Sequence, residues 1–152
     1  MISFMASLFF TCATQYLNSP YKWGANGPFE FDCSGLVVKS WNDYNRISGK
    51  DYIIPDMSSQ GIYNYLIKSG KQCEPPSEGC LLFYGKSIDK ISHIAIHGPQ
   101  NMIIEAGGAA RETFSMDSDQ LRAHCSKKDA RVRLRNFGHR RDLVASIRID
   151  VK

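Results

Sequence analysis

One cysteine of the chain stands where a thiol can be activated as a nucleophile. Cys33 follows Asp32, whose carboxylate can cap a helix by accepting backbone N–H groups. The apolar residues that follow recur at helical spacing and predict a helix from about Ser34 to Tyr44; they are Leu36, Val37, Trp41 and Tyr44. A thiol at a helix N-terminus feels the positive end of the helix dipole, which favours the nucleophilic thiolate. The alternative interpretation is a small buried core cysteine.

A cysteine nucleophile also needs a base within hydrogen-bond reach and a group that orients this base. His93 and His97 lie two residues apart in a predicted strand, so both side chains point to the same face of the sheet. The base must face the cysteine helix across that sheet, but spacing alone does not choose between the two histidines. His124 and His139 lie in the basic C-terminal part.

The stretch around the cysteine resembles the NlpC/P60 family of papain-like cysteine peptidases. Tyr21-Lys22-Trp23-Gly24 is followed about ten residues later by Asp32-Cys33-Ser34-Gly35-Leu36, and the resemblance resumes around His93. It covers roughly residues 8 to 110 and implies Cys33 as nucleophile and His93 as base. Tyr21 then lies near the nucleophile, while Asp32 and Ser34 line the cleft and contact the amino end of the substrate.

Two positions depart from the family pattern. The third catalytic member is a His, Asn or Gln in the family, and the corresponding residue is Glu105. A carboxylate there can accept the base's second N–H and stabilise the imidazolium, although a Glu that simply ends a strand is the alternative. Cys80 stands where the family has an acidic residue, which puts the usual hydrogen bonds of that turn in doubt.

The resemblance implies a cysteine peptidase that hydrolyses amide bonds in bacterial peptidoglycan stem peptides, of the D-γ-glutamyl-diaminopimelate type, without cofactor or metal. The substrate is then the only partner expected, and the protein is expected to be a monomer. Three alternatives are a cysteine amidase or acyltransferase acting on protein or lipid, a binding module with a dead site, and a nucleic-acid binder.

The resemblance also implies an α+β, papain-like fold in a single domain, residues 1–152, with helices that carry the cysteine packed on an antiparallel sheet that carries the histidine. The sequence predicts helices at 2–17, 34–44 and 57–68, a short helix at 117–124, and strands at 80–84, 91–97, 101–105, 130–135 and 143–151. Asp56 is the expected cap of the third helix, and Gly98-Pro99-Gln100 is expected to turn a hairpin. Along 130–135 the period-two pattern predicts that Val132 and Leu134 face the core while the arginines face solvent or a phosphate.

Helical spacing at the N-terminus places apolar side chains on one face of the first helix; they are Ile2, Met5, Phe9, Cys12 and Tyr16. No Lys or Arg precedes Lys22, so the positive region of a signal peptide is missing, and no run of 18 apolar residues predicts a membrane span. These features predict a soluble protein made in the cytoplasm and, for a cell-wall substrate, delivery with a phage particle or by another export route.

Cysteine content and charge set two further expectations. The five cysteines show no C-x-x-C spacing, and the odd number favours a reduced compartment with at least one free thiol. The net charge of +4 is uneven, since residues 111–152 carry +5 and the rest −1. A basic C-terminal third can bind a polyanion or can simply be a solvated face.

Overall fold

A computed structural model describes residues 4–107 and 130–149 of the chain. The predicted helix at 117–124, His124 and Cys125 lie outside these residues. The described elements run from three helices into an antiparallel sheet, in the order expected for the α+β class.

Three helices precede most of the sheet. They are α1 (Phe4–Thr14), α2 (Cys33–Ser48) and α3 (Ser59–Leu66). The second helix runs four residues further than predicted, because Gly49 adopts a left-handed φ of 73° and closes it as a C-cap. The expected cap of α3 is wrong: the Ser58 hydroxyl accepts from the Gly61 N–H, whereas Asp56 accepts from the Asn26 amide at 3.0 Å.

Six strands form one sheet in the described residues. They are β1 (Lys71–Gln72), β2 (Leu81–Gly85), β3 (Ile91–His97), β4 (Met102–Gly107), β5 (Arg131–Asn136) and β6 (Leu143–Arg148). The strand order is β1-β6-β2-β3-β4-β5, and every neighbouring pair is antiparallel. A 3-10 turn, Phe137–His139, follows β5 and leads into the segment before β6.

The predicted hairpin is β3–β4, and it opens towards its far end. Gln100 and Asn101 take left-handed φ angles of 55° and 60° in its turn. Paired residues extend only over Ile96↔Ile104 and His97↔Ile103, whereas β4 stays paired with β5 as far as Gly107. The strands β3 and β4 are therefore unpaired on the N-terminal side of Ile96, where His93 and Glu105 lie.

The core lies between the helices and one face of the sheet. The four residues that predicted α2 are all buried there: Leu36 (1%), Val37 (0%), Trp41 (4%) and Tyr44 (1%). Ile94 and Ile96 supply the β3 side of the same cluster. A smaller cluster on the opposite face contains Leu82, Tyr84, Ala95 and Ile103, and His93 pairs with Tyr84 on that face. His93 therefore lies on the sheet face opposite to the main core, near the start of β3, where Ile91 and Ser92 line the same cleft as Cys33.

The helix α1 docks on α2 through a buried carboxylate. Asp43 is 1% exposed and accepts hydrogen bonds from the Tyr16 hydroxyl and from Gln15, both just beyond the end of α1. Lys39 and Arg46 lie within 3.1 and 3.3 Å of its other oxygen, so the buried charge is compensated. Of the apolar face predicted for α1, Phe9, Cys12 and Tyr16 are buried.

The expectation of reduced cysteines is wrong for one pair. Cys73 and Cys80 form a disulfide between the end of β1 and the start of β2. The two cysteines are seven positions apart in the chain, but both strands flank β6, which brings their Cα atoms to 6.7 Å. Cys12 and Cys33 are thiols.

One apolar position that was expected to face the core does not. Leu134 in β5 is 42% exposed, whereas its neighbours Arg133 and Arg135 are half-buried. In the ranges that the structure covers, no helix is long and apolar enough to cross a membrane.

Candidate active site

Cys33 is the first residue of α2, and its position is determined by the cap before it. Asp32 accepts hydrogen bonds from the Gly35 N–H at 2.6 Å, the Gly24 N–H at 2.9 Å and the Ser34 hydroxyl at 3.2 Å. Burial raises the pKa of Asp32, and these hydrogen bonds oppose the shift. The cap predicted from the sequence is confirmed, and it ties the loop at residues 21–31 to the helix.

A close backbone approach fixes the same loop against the helix. A Cβ atom on Gly35 would lie 2.1 Å from the Ala25 carbonyl oxygen and 2.8 Å from the Asn26 Cα atom. Only glycine therefore fits at this position of α2 without displacing the loop backbone.

Cys33 opens into a cleft of about 300 Å³. Its walls are residues 21, 23 and 24 of the loop, residues 32–34 of the α2 start, residues 56–60, and residues 91–92 at the start of β3. The structure thus brings Tyr21, Asp32 and Ser34 to the same cleft as Cys33. The cleft reaches Ser92, the residue immediately before His93.

His93 and Glu105 form a buried hydrogen bond where β3 and β4 separate. The distance from His93 Nε2 to Glu105 Oε2 is 2.6 Å, and both residues are 4% exposed. Because an ionised carboxylate can only accept a hydrogen bond, His93 Nε2 carries the proton and donates the hydrogen bond to Glu105. His97 points elsewhere: its Nδ1 lies 2.8 Å from the Gly98 carbonyl oxygen and its ring packs on Phe137.

Arginines of the C-terminal part surround the carboxylate of Glu105. Arg135 Nε lies 3.7 Å from Glu105 Oε1, an ion-pair distance that is too long for a hydrogen bond. Arg140 is 7% exposed, stacks 4.8 Å above the ring of Tyr84, and is held by Asp142 at 2.9 and 2.7 Å. The ring of Tyr84 in turn lies 5.7 Å from that of His93.

These charges keep Glu105 ionised despite its burial. Burial alone would raise the pKa of Glu105, but the charge and hydrogen bond of His93 and the charges of Arg140 and Arg135 outweigh it and hold the pKa below its ordinary value. Glu105 is thus an anion that can orient His93 and stabilise an imidazolium.

Sequence reasoning missed Tyr84, Arg135, Arg140 and Asp142. The alternation along 130–135 did place the arginines on one face, but it could not show that this face carries Glu105 rather than solvent. The signal that could have found them is the cross-strand pattern, since Glu105 pairs with Arg133 and so lies diagonal to Arg135.

The described parts of the chain contain no group of three or more His, Cys, Asp or Glu arranged to hold a metal ion. The side chains of this site offer a thiol at a helix N-terminus and an imidazole oriented by a carboxylate.

Comparison with known proteins bears on this arrangement. Residues 18–129 match the sequence model of the NlpC/P60 family. A comparison with curated proteins found no match.

Solved structures share the fold at low sequence identity. NlpC2 from Trichomonas vaginalis is 17% identical with a TM-score of 0.65, and the match covers 100% of this chain and 49% of that one. An NlpC/P60 family protein from Bacillus cereus is 17% identical with a TM-score of 0.68, covering 95% and 40%. The peptidoglycan hydrolase RipB from Mycobacterium tuberculosis is 18% identical with a TM-score of 0.64, covering 97% and 66%. The chain spans half or less of the first two of these proteins and about two thirds of the third.

Proposed function

The chain belongs to the NlpC/P60 family, and on that premise we propose that it is a cysteine peptidase that hydrolyses amide bonds in the stem peptides of bacterial peptidoglycan. The observation that carries the proposal is the buried 2.6 Å hydrogen bond between His93 and Glu105, beside a cleft that contains Cys33. Peptidoglycan hydrolases among the structures of similar fold support the choice of substrate.

In the proposed reaction, Cys33 and His93 act as an ion pair. The thiolate attacks the carbonyl carbon of the substrate amide, and the carbonyl oxygen takes up the negative charge. The backbone N–H groups at the start of α2 point towards this region, and they can stabilise the oxyanion. His93 then donates its proton to the departing nitrogen, the C–N bond breaks, and a thioester forms on Cys33.

Water completes the reaction. His93 accepts a proton from the attacking water, the C–S bond breaks, and the acid product leaves as Cys33 returns to its thiolate form. Glu105 stays ionised throughout. It accepts the hydrogen bond from the Nε2–H of His93 and stabilises the imidazolium. We assign Tyr21, Asp32 and Ser34 to substrate contacts in the cleft, and we propose the D-γ-glutamyl-diaminopimelate bond as the bond cleaved.

Digestion of purified peptidoglycan tests this function. The wild type, Cys33→Ala and Glu105→Gln are incubated with peptidoglycan, and mass spectrometry identifies the released fragments. We expect release by the wild type, none by Cys33→Ala, and a rate lowered at least about a hundredfold by Glu105→Gln. The fragment masses identify the bond.

A thermal melt of each variant shows that it is folded. Equal release by wild type and Cys33→Ala would exclude the thiol mechanism. If no folded variant releases fragments, the same proteins are assayed on protein amides and acyl esters, which an amidase or acyltransferase of this fold would use instead.

A further inference from the structure

A second hollow lies beside the active-site cleft and shares a wall with it. Trp23 and Gly24 line both. The second hollow is completed by Lys22, Asn26, Phe29 and Glu30, and its volume is about 340 Å³. We call it the aromatic hollow. A substrate whose reacting bond lies at Cys33 can extend past Trp23 directly into it.

Two aromatic side chains of this hollow project into solvent from a loop that backbone hydrogen bonds close. Phe29 is 80% exposed and Trp23 is 41% exposed. Backbone hydrogen bonds close the loop, from Lys22 N–H to the Phe31 carbonyl at 3.0 Å and from Gly27 N–H to the Glu30 carbonyl at 2.8 Å. The next aromatic residue, Phe31, is completely buried and anchors the loop. Phe29 is therefore exposed although its loop is closed by hydrogen bonds and anchored by Phe31.

Polar groups surround these rings without a net charge. Lys22 and Glu30 lie 3.9 Å apart on the rim, with side chains 68% and 46% exposed. The Asn26 amide contributes a further polar group, oriented by Asp56 at 3.0 Å. A pyranose ring has an apolar C–H face and a rim of hydroxyl groups. It can lay that face on an aromatic ring and hydrogen-bond to such polar side chains.

We propose that the aromatic hollow binds a sugar ring of the glycan to which the stem peptide is attached. This inference rests on the proposed function, because it requires a peptide substrate that is linked to sugar on one side. It assigns Phe29 and Trp23 as residues that determine specificity for glycan-linked peptide over free peptide. The neutral rim is consistent with an uncharged sugar and not with a polyanion.

The experiment compares two substrates that differ only in the sugar. One is a muropeptide that carries its disaccharide, and the other is the same peptide capped with lactate, so that neither has an amino-terminal charge. We expect the wild type to have a kcat/KM about tenfold higher for the muropeptide, and Phe29→Ala to remove this preference by acting on the muropeptide alone.

Two variants serve as controls. Phe29→Tyr keeps an aromatic ring and is expected to retain the preference. Ile47→Ala removes a 60% exposed apolar side chain near the far end of α2 and is expected to change neither substrate's kcat/KM.

The possible outcomes separate the two proposals. Equal cleavage of both substrates by the wild type, or an equal loss on both in Phe29→Ala, would overturn the sugar site while leaving the peptidase intact. Cleavage of neither substrate by the wild type would contradict the proposed function itself. In that case, binding of the muropeptide and the capped peptide to Cys33→Ala, measured by calorimetry, still tests the hollow: a preference for the muropeptide that Phe29→Ala abolishes supports it, and equal affinities contradict it.

Discussion

At the scale of single residues, the ion pair between Arg135 and Glu105 favours the charged form of this buried carboxylate. The arginine lies on the side of the carboxylate opposite to His93, at 3.7 Å, and side chains of both residues are largely buried. A buried carboxylate with a single partner would tend to take up a proton, whereas here cations on two sides hold it ionised. The base is thus supported by a residue from a strand whose arginines were expected to face solvent or a phosphate.

Replacing Arg135 with Gln tests this support. The pKa of Glu105 is lowered in the folded protein, so the stability it contributes is present above its unfolded pKa and is lost as the pH falls through the lower, folded value. Without Arg135 that folded value rises. We expect the acidic fall in kcat/KM to begin at a higher pH than in the wild type. The stability lost on acidification should be smaller, because the folded and unfolded pKa values of Glu105 then lie closer together.

Arg131→Gln is the matched control for this pH measurement. Arg131 lies on the same strand but is exposed and pairs with Gly107 rather than contacting Glu105. Its pH profiles are expected to coincide with those of the wild type. Identical profiles for all three proteins would show that Arg135 has no influence on Glu105.

The helix α2 is capped at both of its ends. Its start carries Cys33 and is capped by Asp32, and its end is closed by Gly49 in a left-handed conformation. Both caps stabilise the same helix, but only the first one contacts the cleft.

Substitutions at the two caps separate helix stability from catalysis. Asp32→Ala and Gly49→Ala are each expected to lower the free energy of unfolding by about 1 kcal/mol, the first by losing a cap and the second by forcing a side chain into φ 73°. Only Asp32→Ala should lower kcat/KM, because it also releases the loop from Cys33. Denaturant unfolding and kinetics at 25 °C measure the two effects. A comparable loss of activity in Gly49→Ala would mean that Asp32 acts through helix stability alone.

The elements show where sequence reasoning succeeds and where it stops. Local patterns predicted α2, the Asp32 cap and the β3–β4 hairpin, because periodicity and capping chemistry are properties of neighbouring residues. The same chemistry predicted Asp56 as the α3 cap, but Ser58 is the residue whose hydroxyl accepts from the Gly61 N–H. The outward position of Leu134 and the diagonal contact of Arg135 depend on which strands become neighbours, which a single sequence does not encode locally.

The Cys73–Cys80 disulfide is a property of the whole molecule. It joins β1 to β2 across the end of β6, and the turn it closes contacts the C-terminal end of β3 through the Gly79 N–H and the His97 carbonyl at 2.8 Å. His93 lies towards the other end of that strand. The bond therefore stabilises the edge of the sheet on the side remote from the catalytic groups.

Removal of the disulfide is expected to affect stability far more than activity. A closed loop of this length contributes about 2–3 kcal/mol by restricting the unfolded chain. The double variant Cys73→Ala/Cys80→Ala should melt at a lower temperature than the wild type and retain kcat/KM within about twofold at 25 °C. Reductant should lower the melting temperature of the wild type towards that of the double variant and leave the double variant unchanged. A wild-type melting temperature that does not respond to reductant would contradict a stabilising bond.

The close approach at Gly35 has a consequence for any attempt to re-engineer the protein. Because no side chain fits between α2 and residues 25–26, the loop backbone and the helix start behave as one rigid piece. Directed evolution that alters the loop backbone will displace the nucleophile at the same time, and most such variants will be inactive. Phe29 projects from this piece without supporting it, so a saturation library at this single position can explore new substrates while the catalytic machinery keeps its alignment.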